Sequence, residues 1–139
     1  MSKPRQDNPD FDRLFREGTR LLHAGRAERA RDLLDEAHAL RPDHADAALN
    51  LSGALILTRK FRRAVRLLED LVEVQPDNPM VWTNLGAAYL GNPVLADDRM
   101  QRRAIEAFKQ ALELNPAAPN VAYNIGLICR DRGDIERAL

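Results

Sequence analysis

Trp82-Thr83-Asn84-Leu85-Gly86-Ala87-Ala88-Tyr89, followed by Ala104, Phe108, Ala111 and Pro116, is the stretch on which the architecture turns. Its apolar and small residues recur at steps of three and four, which puts them on one face of a helix. Trp82, Leu85, Gly86 and Tyr89 mark one such face, and Ala104, Phe108 and Ala111 mark a second. Two runs of this kind joined by a turn make a helical hairpin. Gly86 lets the two backbones approach closely. Pro116 cannot continue a helix and sits just past the end of the second run.

The same arrangement recurs on both sides. Arg41-Pro42-Asp43, Gln75-Pro76-Asp77 and Asn115-Pro116-Ala117 each close a helical run that ends on Leu40, Val74 or Leu114. Pro42 and Pro76 are 34 residues apart, whereas Pro76 and Pro116 are 40 apart, so the third unit carries six extra residues. Counting back from each proline brings Ala30, Ala64 and Ala104 into register, then Leu34, Leu68 and Phe108, then Ala37, Leu71 and Ala111. Gly18, Ser52, Gly86 and Gly126 share the small-residue slot of the first helix.

Helix starts and stops are marked too. Asn8-Pro9 and Asn78-Pro79 each offer an N-cap followed by proline at the first helical position. Gly25 and Gly133 suit a left-handed helix terminator. Helices are predicted at 9–24, 27–40, 45–58, 61–74, 79–91, 97–114 and 119–131, with an eighth starting near Asp134. Gly91-Asn92-Pro93 stops one helix, and Asp97-Asp98 suit the positive start of the next, so the extra residues should lengthen the turn and the second helix. Trp82, Tyr89 and Phe108 are expected to be mostly buried against each other.

The third unit reproduces at every named position the W-x2-L-G-x2-Y…A-x3-F…P pattern of the tetratricopeptide repeat family, which the chain resembles over residues 9–139. Ala122-Tyr123-Asn124-Ile125-Gly126-Leu127-Ile128-Cys129 repeats the pattern more weakly, and the first unit departs from it with Glu17 in place of leucine. The resemblance implies an all-α fold, a solenoid of helical hairpins wound as a right-handed superhelix of about 3.5 repeats. Residues 1–8 would be a disordered tail and 9–139 a single domain, with repeats at 11–44, 45–78, 79–118 and an incomplete 119–139.

Composition narrows the function. Lys+Arg and Asp+Glu both number 21, so bulk charge draws the chain to neither nucleic acid nor an acidic membrane. Cys129 is the one cysteine, which leaves no disulfide framework and no cysteine-based zinc site. Its repeat-mates are Leu21, Leu55 and Tyr89, so it reads as a packing residue. The N-terminus lacks an apolar signal segment, and no apolar run is long enough to span a membrane. A reducing, cytoplasmic location is the simplest expectation.

Several short strings carry no chemistry here. Asp35-Glu36-Ala37-His38 spells a helicase box but lacks a phosphate-cradling glycine loop. Arg132-Gly133-Asp134 falls at a turn where glycine ends a helix, and Asn50-Leu51-Ser52, a glycosylation sequon, lies inside one. His23, His38 and His44 have no metal-site spacing. Arg59, Lys60, Arg62, Arg63 and Arg66 read as a solvated face, with a docking patch for an acidic partner as the alternative. No catalytic grouping, metal or cofactor is expected.

Function is instead expected on the first helices, which in this family line the concave face. Carried over by register, that face holds Asp12, Phe15, Arg16, Thr19, Leu22 and His23, then Asp46, Leu49, Asn50, Gly53, Ile56 and Leu57. Met80, Thr83, Asn84, Ala87 and Leu90 follow, and then Asn120, Tyr123, Asn124, Leu127 and Arg130. Asn50, Asn84 and Asn124 share one slot, and a row of amides can grip a peptide backbone. It resembles the asparagine ladder of the O-linked N-acetylglucosamine transferase repeats; the other reading is local helix-to-helix hydrogen bonding. The carboxylate clamp of chaperone-binding repeats is not matched, since only Asn50 survives at its slots. The implied function is protein–protein interaction, either as a free adaptor or as the regulatory or substrate-recruiting module of a larger enzyme or signalling protein. The partner is a peptide or protein, with no nucleic acid and no membrane, and homo-oligomer formation through the C-terminal end is a further expectation.

Overall fold

A computed structural model describes residues 8–91 and 96–117, which form six α-helices and no strand. The helices are α1 (Pro9–His23), α2 (Ala27–Leu40), α3 (Ala45–Leu57), α4 (Phe61–Val74), α5 (Pro79–Leu90) and α6 (Asp98–Leu114). Each starts and ends within one residue of its expected bound. The expected helix 119–131 and its successor lie outside the described residues. The chain divides into two compact units, Met1–Lys60 and Phe61–Leu139.

In the first unit α1 pairs with α2, and α3 packs on both. Asn8 Oδ1 accepts the Asp10 and Phe11 amides at 2.9 and 3.2 Å and so caps α1. Gly18 is required by packing: a Cβ there would stand 2.8 Å from Leu34 Cγ. Ser52, in the equivalent slot of α3, is fully buried and satisfies its hydroxyl by donating to the Leu49 carbonyl at 2.6 Å. Phe11, Leu14, Ala37 and Ala47 make one core cluster, with Phe15 and Leu33 against it. Gly25 has φ +80° at the α1–α2 turn, as its sequence position predicts. Arg59 holds the matching place after α3 with φ 63°, a conformation its sequence gives no sign of.

In the second unit α5 packs against α4 on one side and α6 on the other. A Cβ on Gly86 would stand 2.6 Å from Phe108 Cε1, so the small residue is again what lets the hairpin close. Leu90, Ala104, Phe108 and Ala111 form the buried cluster. Of the three aromatics expected to be mostly buried, only Phe108 is; Trp82 and Tyr89 pack on the cluster half-buried. Their polar tips explain the difference. The Trp82 indole donates from Nε1 to the Pro76 carbonyl at 2.8 Å, and the Tyr89 hydroxyl donates to Glu69 Oε2 at 2.6 Å. Both bonds hold one end of the ring at the surface.

The extra residues of this unit are shared between turn and helix. Helices α2 and α4 begin 15 residues before their prolines (42 − 27 and 76 − 61), whereas α6 begins 18 before Pro116 (116 − 98). Asp97 makes that early start possible: its carboxylate accepts the Met100 amide at 2.8 Å.

Candidate partner-binding face

The face of the first unit is built by α1 and α3. Asn50 donates from Nδ2 to Thr19 Oγ1 at 3.0 Å, tying the two helices together. Its carbonyl oxygen and second amide hydrogen have no protein partner among the described residues. The amide is therefore fixed in plane but only partly satisfied. Leu49, Gly53 and Ile56 are half-buried beside it, and Leu57 is 63% exposed. From α1 come half-buried Thr19 and Leu22 and exposed Asp12, Arg16 and His23. Phe15 is less available than its register suggests. It stacks on Phe11 at 5.6 Å and meets the His44 ring edge-on at 5.1 Å. The His44 Nδ1 in turn caps α3 by accepting the Ala47 amide at 3.1 Å.

In the second unit, α5 presents Met80, 60% exposed, with half-buried Thr83, Asn84 and Ala87. The Thr83 hydroxyl donates back to the Pro79 carbonyl at 2.9 Å. Leu90 corrects the sequence reading: it is 6% exposed and belongs to the α5–α6 core, because it stands one turn after Gly86 on the face that meets Phe108. Asn120, Tyr123, Asn124, Leu127 and Arg130 lie outside the described residues, as does the C-terminal end to which self-association was assigned.

Two features escape sequence reading. Pro9, Asp12, Arg13, Arg16, Glu17, Arg29 and Leu33 line an open hollow between α1 and α2. Within it Glu17 is held below the ordinary carboxylate range by the side-chain hydrogen bonds from Arg20, whose guanidinium reaches both oxygens at 2.8 Å. Glu17 marked a departure from the repeat pattern, and this exposed pair is what the departure makes. The second is the phenol of Tyr89, pushed up to about 12 by burial, then by its hydrogen bond to Glu69 and the repulsion of that carboxylate. Arg103, 5.8 Å from the ring centroid, opposes the shift. Arg59, Lys60, Arg62, Arg63 and Arg66 are all exposed. Among the described residues no group of His, Cys, Asp and Glu is placed to hold a metal, and no helix is long and apolar enough to cross a membrane.

Family models of the tetratricopeptide repeat match residues 21–88, which take in α2 to α4 and most of α5, and residues 102–139, which take in most of α6. The chain belongs to the tetratricopeptide repeat family. Among relatives of this repeat chain, the peroxisomal targeting signal receptor of Candida albicans is 26% identical over 99% of the chain and 22% of its own length. The Hsp70-Hsp90 organizing protein of Triticum aestivum is 33% identical over 72% of the chain and 16% of that protein. The repeat chain thus spans about a fifth of the length of such relatives. Among solved structures, a fragment of MamA from Desulfovibrio magneticus RS-1 superposes with a TM-score of 0.77 at 25% identity, covering 92% of this chain and 69% of that one. The all-α tetratricopeptide fold is thereby shown independently of the packing argument.

Proposed function

We propose that this chain is a protein-interaction module which holds an extended segment of a partner protein on the α1–α3 face of its first unit. The observation that carries the reading is the Asn50 amide. Thr19 fixes its orientation, and it keeps one acceptor and one donor for a ligand. A main chain offers the complementary pair at every residue. An amide held in place before binding loses little freedom on contact. Leu49, Ile56 and exposed Leu57 supply apolar surface next to it. The relatives support the general reading, since one is named as a receptor for a targeting signal and another as an organizing protein for Hsp70 and Hsp90. Their far greater length favours a second reading of the same face, as the recruiting module of a larger protein.

A dodecapeptide selected by the wild-type chain from a randomised display library supplies the probe. Asn50→Ala is expected to weaken its binding about tenfold, the value of one to two ordinary hydrogen bonds. The thermal midpoint should stay within a few degrees. Loss of stability with unchanged affinity would show that Asn50 serves only to join α1 to α3.

A further inference from the structure

A helix favours acidic side chains near its N-terminus and basic ones near its C-terminus, because its aligned peptide dipoles leave partial positive charge at the first end and negative at the second. Helix α1 follows this at both ends, with Asp10 and Asp12 in its first turn and Arg20 and His23 in its last. So does α2, with Glu28 and His38. Helix α4 does the opposite. Its first turn has no acidic residue and its last has no basic one. It opens instead with Arg62 and Arg63 and closes with Glu73 and Val74. Each end carries the charge that its own dipole disfavours.

The reversed charges share one side of the helix. Arg62, Arg66, Asp70 and Glu73 follow one another at steps of four, four and three, so they form a single stripe, and all four are exposed. None of the four forms an ion pair among the described residues. Neighbours within the stripe repel where they are alike, at Arg62–Arg66 and Asp70–Glu73. Arg66 and Asp70 stand in the less favourable order for a pair on one helix. The repeat does not ask for this pattern. The slots of Arg62 and Arg66 hold Glu28 and Asp32 in α2, and Arg102 and Glu106 in α6, where Arg102 is bound to Asp98 at 2.9 Å.

A stripe that reads basic, basic, acidic, acidic is complementary to itself when reversed. Laid antiparallel on the same stripe of a second copy, Arg62 faces Glu73 and Arg66 faces Asp70, and two-fold symmetry makes each pair twice. We propose that α4 is the contact through which two copies of this chain associate, as an antiparallel α4–α4 pair held by charge. The pairing sets each acidic end over the other copy's basic end and so offsets both conflicts with the dipole. A partner of one sign fits worse. An acidic segment, a nucleic acid or an acidic membrane would meet Asp70 and Glu73 as well as the arginines. Exposed ion pairs are individually weak and screened by salt, so the dimer is weak and salt-sensitive.

Sedimentation of the full chain across concentrations tests this. The wild type is expected to dimerise at about 20 mM salt and to bind its second copy at least tenfold more weakly at about 500 mM, where screening acts within a few ångströms. Arg62→Glu with Arg66→Glu makes the stripe wholly acidic, and Asp70→Lys with Glu73→Lys makes it wholly basic. Each variant alone should be monomeric at low salt with its helical ellipticity unchanged. An equimolar mixture of the two should recover a one-to-one dimer, which a folding defect could not produce. A wild type that stays monomeric at low salt up to about 1 mM, the weak limit of specific association, would overturn the proposal. So would a mixture that fails to recover the dimer. A dimer that both variants keep would also overturn it, by putting self-association on another surface.

Discussion

At the scale of single residues, the structure separates slots that look alike in sequence. Leu55 and Tyr89 share a repeat position, yet Leu55 is fully buried whereas Tyr89 is half-buried and defined by what its hydroxyl meets. Its phenol is pushed up to about 12, above the ordinary tyrosine value of about 10. Because the folded value is raised, Tyr89 stabilises the fold fully below pH 10 and loses that contribution as pH rises toward 12. Unfolding followed across this window should show stability falling in the wild type and a flatter profile in Tyr89→Phe. Glu69→Gln should bring the phenol's titration, read by ultraviolet absorbance, back toward the ordinary range. Little of this was legible beforehand. Spacing puts Tyr89 on the packing face, but the carboxylate it meets is 20 residues away on another helix. The same limit applies to Asn50: register puts it on the candidate partner face, and only the fold shows Thr19 holding one of its amide hydrogens.

Helices were far more legible than contacts, and the reason is local. Prolines at Pro42, Pro76 and Pro116, the caps Asn8 and Asn78, and the terminator Gly25 act within a turn of themselves, so they fix boundaries without any tertiary information. Where such a signal is absent, as at Arg59, the left-handed turn went unseen. Asp97 is the local signal that admits the early start of α6. Asp97→Ala should cost about 1 kcal/mol, a typical lost N-cap. Amide exchange should accelerate at Met100 and Gln101, while the Arg103–Leu114 stretch stays protected. Exchange raised evenly along α6 would mean that packing, rather than the cap, sets where this helix begins.

Across the whole molecule, stability in a repeat protein is a sum of local terms and neighbour terms. Gly18 and Gly86 perform the same task in different units, each admitting the partner helix of its own hairpin. Gly18→Ala and Gly86→Ala should each lose about 1–3 kcal/mol through overpacking. The loss should be uneven along the chain. Gly18→Ala should speed exchange chiefly within Pro9–Leu57, and Gly86→Ala chiefly within Phe61–Leu114. Identical exchange changes for the two variants would show that the chain unfolds as one cooperative body.

The bond from the Trp82 indole to the Pro76 carbonyl has a practical use. Trp82 is the chain's single tryptophan, and its ring reports on the turn that joins α4 to α5. Its emission is therefore an intrinsic gauge of one joint, needing no label. Parting of that turn should shift the colour of the fluorescence before helical ellipticity falls, so the two optical signals together time the opening of a single hairpin junction.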